Sequence, residues 1–164
     1  MEVAGKRVLD VPDRAELIEG LRLAMQRSTM WTVLLHHATA SRAGINMTDA
    51  QCINLLVLDG PQTPGRLAQT MGITTGGAIT AVIDRLERAG YVKRTRDPQD
   101  RRRVIVEPVP ETVARLSSYF EPVARAAGDR LAALDDEQLQ VLADWFQNWN
   151  AMMPAVIEDI QHLP

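Results

Sequence analysis

The sequence predicts a mainly α fold with one two-stranded β hairpin, and three observations lead there. Apolar residues recur at spacings of three and four along most of the chain. The apolar set, 46% of 164 residues with only 4% aromatics, is mostly Leu, Val, Ile, Ala and Met. That mixture suits helix packing better than a β-sandwich. The period then switches to that of strands between residues 91 and 107.

The first long helix is expected over 13–40, with Leu17, Leu21, Ala24, Met25, Trp31, Leu34 and Leu35 as its apolar positions. Residues 41–46, containing Gly44, break it. The second helix opens on a capping box, with Thr48 as N-cap and Gln51 three residues on. It carries Cys52, Ile53, Leu55, Leu56 and Leu58 and stops at Gly60-Pro61. Thr63 caps a short helix whose first position suits Pro64, with Leu67, Ala68 and Met71 as its stripe. After Gly72, either Thr74 or Thr75 caps a third helix, with Ile79, Val82, Ile83 and Leu86 inward and Gly90 at its end. Two short helices joined by a tight glycine-containing turn form a helix-turn-helix.

Strands are expected at 91–96 and 102–107, around a type I turn with Asp97 first and Pro98 second. A basic hairpin directly after a helix-turn-helix is a wing, so the fold class is a winged helix-turn-helix. Pro108 and Pro110 end it. Helices follow at 111–134 (kinked at Pro122), 136–150 and 154–162. Leu139, Leu142, Trp145, Phe146, Trp149 and Met152 make a stripe too rich for a lone surface helix. Packing against the first helix, or against a second subunit, is the expected use. The organisation read from this is an N-terminal arm and dimerisation helix (1–46), a winged lobe (47–109) and C-terminal dimerisation helices (110–164).

The net charge of −3 argues at first against nucleic acid. Between Arg85 and Arg103, however, eight basic residues face three acids, a local +5 that leaves −8 elsewhere. Binding depends on the local field that a phosphate backbone meets. The single cysteine, Cys52, excludes an intramolecular disulfide and a cysteine-rich zinc site. No run of about 20 apolar residues is present to span a bilayer, and residues 1–10 lack the apolar stretch of a signal peptide. A cytoplasmic protein without membrane partners or cofactors is expected. Nucleophile–base pairs, phosphate-binding glycine motifs and metal-ligand spacings are lacking, which argues against an enzyme.

MTDAQCINLLVL, PGRLAQTMGITTGGAITAVIDRLERAGYVKR and DPQDRRRVIVE, in that order, resemble the central block of the multiple antibiotic resistance regulator (MarR) family over about 47–107. DRLERAGYVKR leading into the wing, and Asp97, Asp100 and Arg102 within it, carry the likeness. One departure is EPVPET after the wing, where the family usually has Leu-Thr and a glycine. The resemblance implies a homodimeric, ligand-responsive transcription regulator, a repressor rather than an activator, acting on double-stranded DNA at a near-palindromic operator. It also implies a small aromatic or anionic effector, bound at the joint between dimer helices and lobe.

The DNA-binding candidates follow from groove geometry. The N-terminal residues of a helix in the major groove meet base edges, here Thr74, Thr75, Gly76, Gly77 and Thr80, with Ala78 or Ala81 against thymine methyls. Glycine lets phosphate or base approach the backbone closely. Thr63 and Arg66 open the preceding helix, and Arg85, Lys93 and Arg94 are further basic candidates, Lys93 and Arg94 as phosphate contacts. An arginine at the hairpin tip can enter a narrow minor groove. Alternation does not choose among Arg101, Arg102 and Arg103, whereas the resemblance favours Arg102. Asp100 is expected to orient an arginine. Trp31, His36, His37 and Met47 are placed near the effector. His36 and His37 point roughly 100° apart on a helix and make a poor metal chelate. Cys52 is read as core rather than as a redox sensor. A rival reading keeps the scaffold as a dimeric protein-interaction or effector-sensing module that does not bind DNA, which a salt titration of DNA binding would separate.

Overall fold

In the computed structural model, which describes residues 12–163, α1 spans Arg14–Ala43. The expected N-terminal arm falls outside the described residues. Asp13 is the N-cap: its carboxylate accepts from the Glu16 N–H, while the Glu16 side chain accepts from the Asp13 N–H. The helix runs three residues beyond its expected end. Gly44, at φ 70°, is the residue that can adopt the left-handed cap, and it turns the chain back onto Ala40 and Ser41. Only Thr39 and Ala40 of α1 are buried. The expected apolar positions Leu17, Leu21, Trp31 and Leu34 are all exposed.

α2 spans Met47–Asp59, and here the cap differs from expectation. Asn46 caps it, its side-chain oxygen accepting from the Asp49 N–H at 2.8 Å. Asparagine is as good a cap as threonine, and using it adds helical residues that a start at Thr48 would forgo. Gln51 is therefore an exposed residue of the second turn, and Leu58 is exposed too. α3 spans Pro64–Thr70, with Thr63 as cap and Pro64 at its start as expected. α4 spans Gly76–Arg88, with Thr75 in the cap position.

Two strands pair antiparallel after α4: β1 (Val92–Arg96) and β2 (Val104–Pro108), with Arg94 opposite Val106. The seven residues between them form a longer tip than expected. The Asp97 N–H donates to the Arg103 carbonyl across its base, and the turn inside it closes from the Arg103 N–H to the Asp100 carbonyl, not around Asp97-Pro98. Asp97 and Asp100 each accept from the N–H two residues on, at Gln99 and Arg102. Gln62, between α2 and α3, exchanges both backbone hydrogen bonds with Val106 and lies as a one-residue third strand on β2. Cys52, Ile53, Leu56, Leu67, Ile79, Val82, Ile83, Leu86, Tyr91, Val92 and Val106 form one closed core from α2, α3, α4 and the hairpin.

The expected helix over 111–134 is interrupted. α5 (Pro110–Ser117) gives way to a 3-10 turn (Ser118–Phe120), and α6 (Glu121–Leu131) begins anew. Pro122 lies in the first turn of α6, where its missing N–H costs nothing, so it starts a helix instead of kinking one. The chain divides into two compact units, one through Leu116 and one from Ser117. In the second, Asp135 and Gln138 form a capping box on α7 (Asp136–Gln161). Pro154, expected to begin a separate helix, lies inside α7. The helix-favouring run Ala151-Met152-Met153 carries the chain up to it. Trp145 stacks on Trp149 at 5.3 Å and meets Phe146 edge-on at 5.1 Å. No described residue of this unit is buried. Among the described residues, no helix is long and apolar enough to cross a membrane.

Candidate nucleic-acid interface

The start of α4 is a bare helix N-terminus. Thr74, Thr75, Gly76, Gly77 and Ala78 are all exposed, and the Thr75 side chain makes no capping bond. Unsatisfied N–H groups and the positive end of the helix dipole therefore face outward, which suits a phosphate oxygen. A Cβ built on Gly76 or Gly77 would meet nothing within 4 Å, and neither has positive φ. Among the described residues, nothing requires glycine at either position. One turn later the exposed Thr80 donates its hydroxyl to the Gly76 carbonyl at 2.8 Å, leaving the hydroxyl oxygen as an acceptor. On α3, Arg66 is exposed and donates to Gln69 at 3.3 Å, and its N–H rests on Thr63.

The basic run sorts into committed and uncommitted charges, a division that residue counting does not make. Arg85, expected at the interface, forms a two-point ion pair with buried Asp49 of α2, at 2.7 and 3.2 Å. Asp49 raises the affinity of that guanidinium for its proton. Arg94, expected on a phosphate, turns to α4, with its two terminal nitrogens on Asp84 and Glu87 and its backbone N–H on Glu87 as well. Both are held for one reason: a carboxylate fixed nearby wins over solvent. Lys93 pairs loosely across the strands with Glu107 at 3.7 Å. At the tip Arg103 leans toward Asp97 at 3.7 Å, whereas Asp100, expected to orient an arginine, holds the Arg102 backbone instead. Arg96 reaches the Arg101 carbonyl at 3.5 Å. The side chains of Arg101 and Arg102 are exposed and make no ion pair among the described residues. Asp49 was legible in principle: with Cys52, Ile53 and Leu56 it shares the helical spacing of a buried face.

The profile of the MarR family matches residues 43–103. The uncharacterized HTH-type transcriptional regulator YcgE of Bacillus subtilis (strain 168) is 38% identical over 111 residues, 68% of this chain and 71% of that protein. The chain belongs to the MarR family. Two solved structures agree in fold. A MarR family protein from Bacillus stearothermophilus is 18% identical with a TM-score of 0.64, covering 87% of this chain and 99% of its own. FabT from Streptococcus pneumoniae, crystallised in complex with DNA, is 18% identical with a TM-score of 0.58, covering 83% and 98%. MarR-family membership makes this a winged-helix transcription regulator and not an enzyme.

Within this MarR-family chain, Trp31 is exposed on α1, His36 is half-buried and His37 exposed further along, and Met47 is half-buried at the start of α2. Among the described residues, no group of three or more His, Cys, Asp or Glu side chains could hold a metal ion. Cys52 is fully buried, and burial, helped by the Asp49 charge, pushes its thiol up to about 11. Such a thiol is a core residue and a poor nucleophile.

Proposed function

We propose that this MarR-family regulator is a homodimeric, ligand-responsive repressor that binds a near-palindromic operator in the cytoplasm. The observation that carries the DNA reading is the uncapped start of α4 beside a wing tip with uncommitted Arg101 and Arg102. The α4 start meets base edges and phosphates in the major groove, and Arg102 enters the minor groove. Thr63, Arg66 and Lys93 add phosphate contacts, as does Arg103 through its loose pair. Regions 1–46 and 110–164 serve dimerisation and 47–109 reads DNA. The dimer is supported by apolar residues left exposed on both long helices, among them Leu21, Trp31, Val141 and Phe146. An aromatic or anionic effector near Trp31, His36, His37 and Met47 would act by changing the spacing of the two lobes, through its differential affinity for the two spacings.

Arg102→Ala tests the reading. Specific binding is expected to weaken by about 1–3 kcal/mol per subunit, the scale of one groove contact, with random duplex less affected. Affinity is measured against salt for an operator and for random duplex, with melts alongside. An unchanged operator-to-random ratio with a normal melt would move sequence reading from the wing to the α4 start. Salt-independent or absent DNA binding by the wild type would favour the interaction-module reading.

A further inference from the structure

The geometry points to Asp49, through its fork with Arg85, as the positioning residue that fixes the rotation of α4 about its own axis, and so the specificity of DNA reading. The inference rests on the DNA reading above.

Asp49 sits in the first turn of α2, its own N–H held by the Asn46 side chain. Its side chain is 5% exposed, against 40% for Arg85. Both carboxylate oxygens are engaged, Oδ1 by Nη2 at 2.7 Å and Oδ2 by Nε at 3.2 Å. A single contact would fix only a distance, whereas a planar fork on a planar carboxylate also fixes an angle. Stability alone is a weak reason for such a pair. Desolvating two charges offsets much of their attraction, and apolar replacements often serve the fold as well. What the pair adds to the buried face of Ile79, Val82, Ile83 and Leu86 is an angular constraint on the helix that a leucine could not supply.

A second tether acts at the far end of the same segment. The Tyr91 hydroxyl donates to the Ala43 carbonyl, the last residue of α1, at 3.3 Å. The Thr112 hydroxyl of α5 donates to the Gly90 carbonyl at 2.5 Å. The C-terminal half of α4 is thus tied by polar bonds to the start of α2 and to β1, and the turn that follows it to the end of α1 and the start of α5. Its N-terminal half, Gly76 to Thr80, makes no side-chain bond to another element among the described residues. Even a small roll of α4 about its axis would swing Gly77, Thr80 and Ala81 out of register with the bases. Bulk charge at the wing would be untouched.

The test uses the full chain and no presumed operator. Wild-type protein first enriches duplexes from a library with a randomised centre. Asp49→Asn and Arg85→Lys are then measured on the enriched duplex and on random duplex, across salt, with thermal melts. Asn keeps the shape and removes the charge, while Lys keeps the charge and removes the fork, so the Asp49 carboxylate stays paired. Both are expected to lower the enriched-to-random ratio about tenfold, the weight of one base contact, with the salt slope unchanged. The double variant should lose no more than either single one, because the pair acts as a unit. Equal weakening on both duplexes, with the Arg85→Lys salt slope altered, would make Arg85 a phosphate contact and overturn the proposal. A lower melting temperature with the ratio intact in Arg85→Lys would reduce the pair to a structural one and overturn it too. No enrichment by the wild type sinks the DNA reading itself, and this inference with it.

Discussion

Arg94 is the residue whose role changes most between sequence and structure. In sequence it is one more charge in a basic strand, while in the fold it is the clasp between wing and α4, held by Asp84 and Glu87. Removing it leaves two carboxylates one turn apart without their common cation. Arg94→Ala is therefore expected to lower stability by about 1–2 kcal/mol, with partial exposure keeping the loss modest. It should also blunt operator preference by loosening the wing, which a chemical melt and a binding ratio read separately. A normal melt with uniformly weaker binding would return Arg94 to the phosphate-contacting set. Cys52 gives a prediction in pH. Its thiol is lifted from an ordinary value near 9.0 to about 11. Unfolded chains ionise first, so stability is unaffected below about pH 9 and falls as pH rises toward 11. Cys52→Ala should remove that part of the alkaline slope, seen as a smaller fall in the denaturant midpoint than in the wild type.

At the scale of elements, α4 divides into a working end and an anchored end. The anchored end is dense, with Val82, Ile83 and Leu86 in the core, Arg85 paired with Asp49, and Asp84 and Glu87 paired with Arg94. The working end spends helix propensity on two glycines that no internal contact demands. Gly77→Ala is expected to stabilise the chain, by up to about 1 kcal/mol, because alanine is the better helix former. DNA affinity should fall at the same time, since a methyl then stands where a backbone approaches. A raised melting temperature with unchanged affinity would show that the glycine leaves no space that DNA uses. The hairpin tip shows the same economy: Asp97 and Asp100 spend their carboxylates on backbone N–H groups, so Arg101 and Arg102 keep their charge for an outside partner.

For the molecule as a whole, charge and apolar surface separate along the chain. The +5 stretch lies within 85–103, and the acidic balance belongs to the remainder. The large apolar side chains left exposed are concentrated on α1 and α7, with few in the winged lobe. A monomer exposing Leu17, Leu21, Trp31, Val141 and Phe146 would aggregate or pair. A dimer is expected by sedimentation at micromolar concentration, and Trp31→Glu with Leu21→Glu should shift it toward monomer. Because two half-sites lie about 34 Å apart on DNA, the same variant should lose cooperative operator binding yet keep weak binding to random duplex. A wild-type monomer that binds the operator at full affinity would remove the dimer from the mechanism.

The order of elements through the wing, the turn glycines, the Thr63-Pro64 start and the core positions of α4 were legible in the sequence, because periodicity, caps and turns are local properties. Cys52 as core and the wing as a basic hairpin were legible for the same reason. Cap competition between Asn46 and Thr48, and continuity through Pro154, lay at the margin, where alternatives differ by about 1 kcal/mol or less for a cap. The allocation of charge was not legible at all. Arg85, Arg94, Arg101 and Arg102 are alike as letters, and only tertiary structure places Asp49 and Asp84 against the first two and, among the described residues, no carboxylate in an ion pair with the others. Pattern thus determined which elements form and where a basic surface lies. Long-range geometry, with Asp49 and Arg85 separated by 36 residues, decided which of its charges are paired within the fold and which stay exposed.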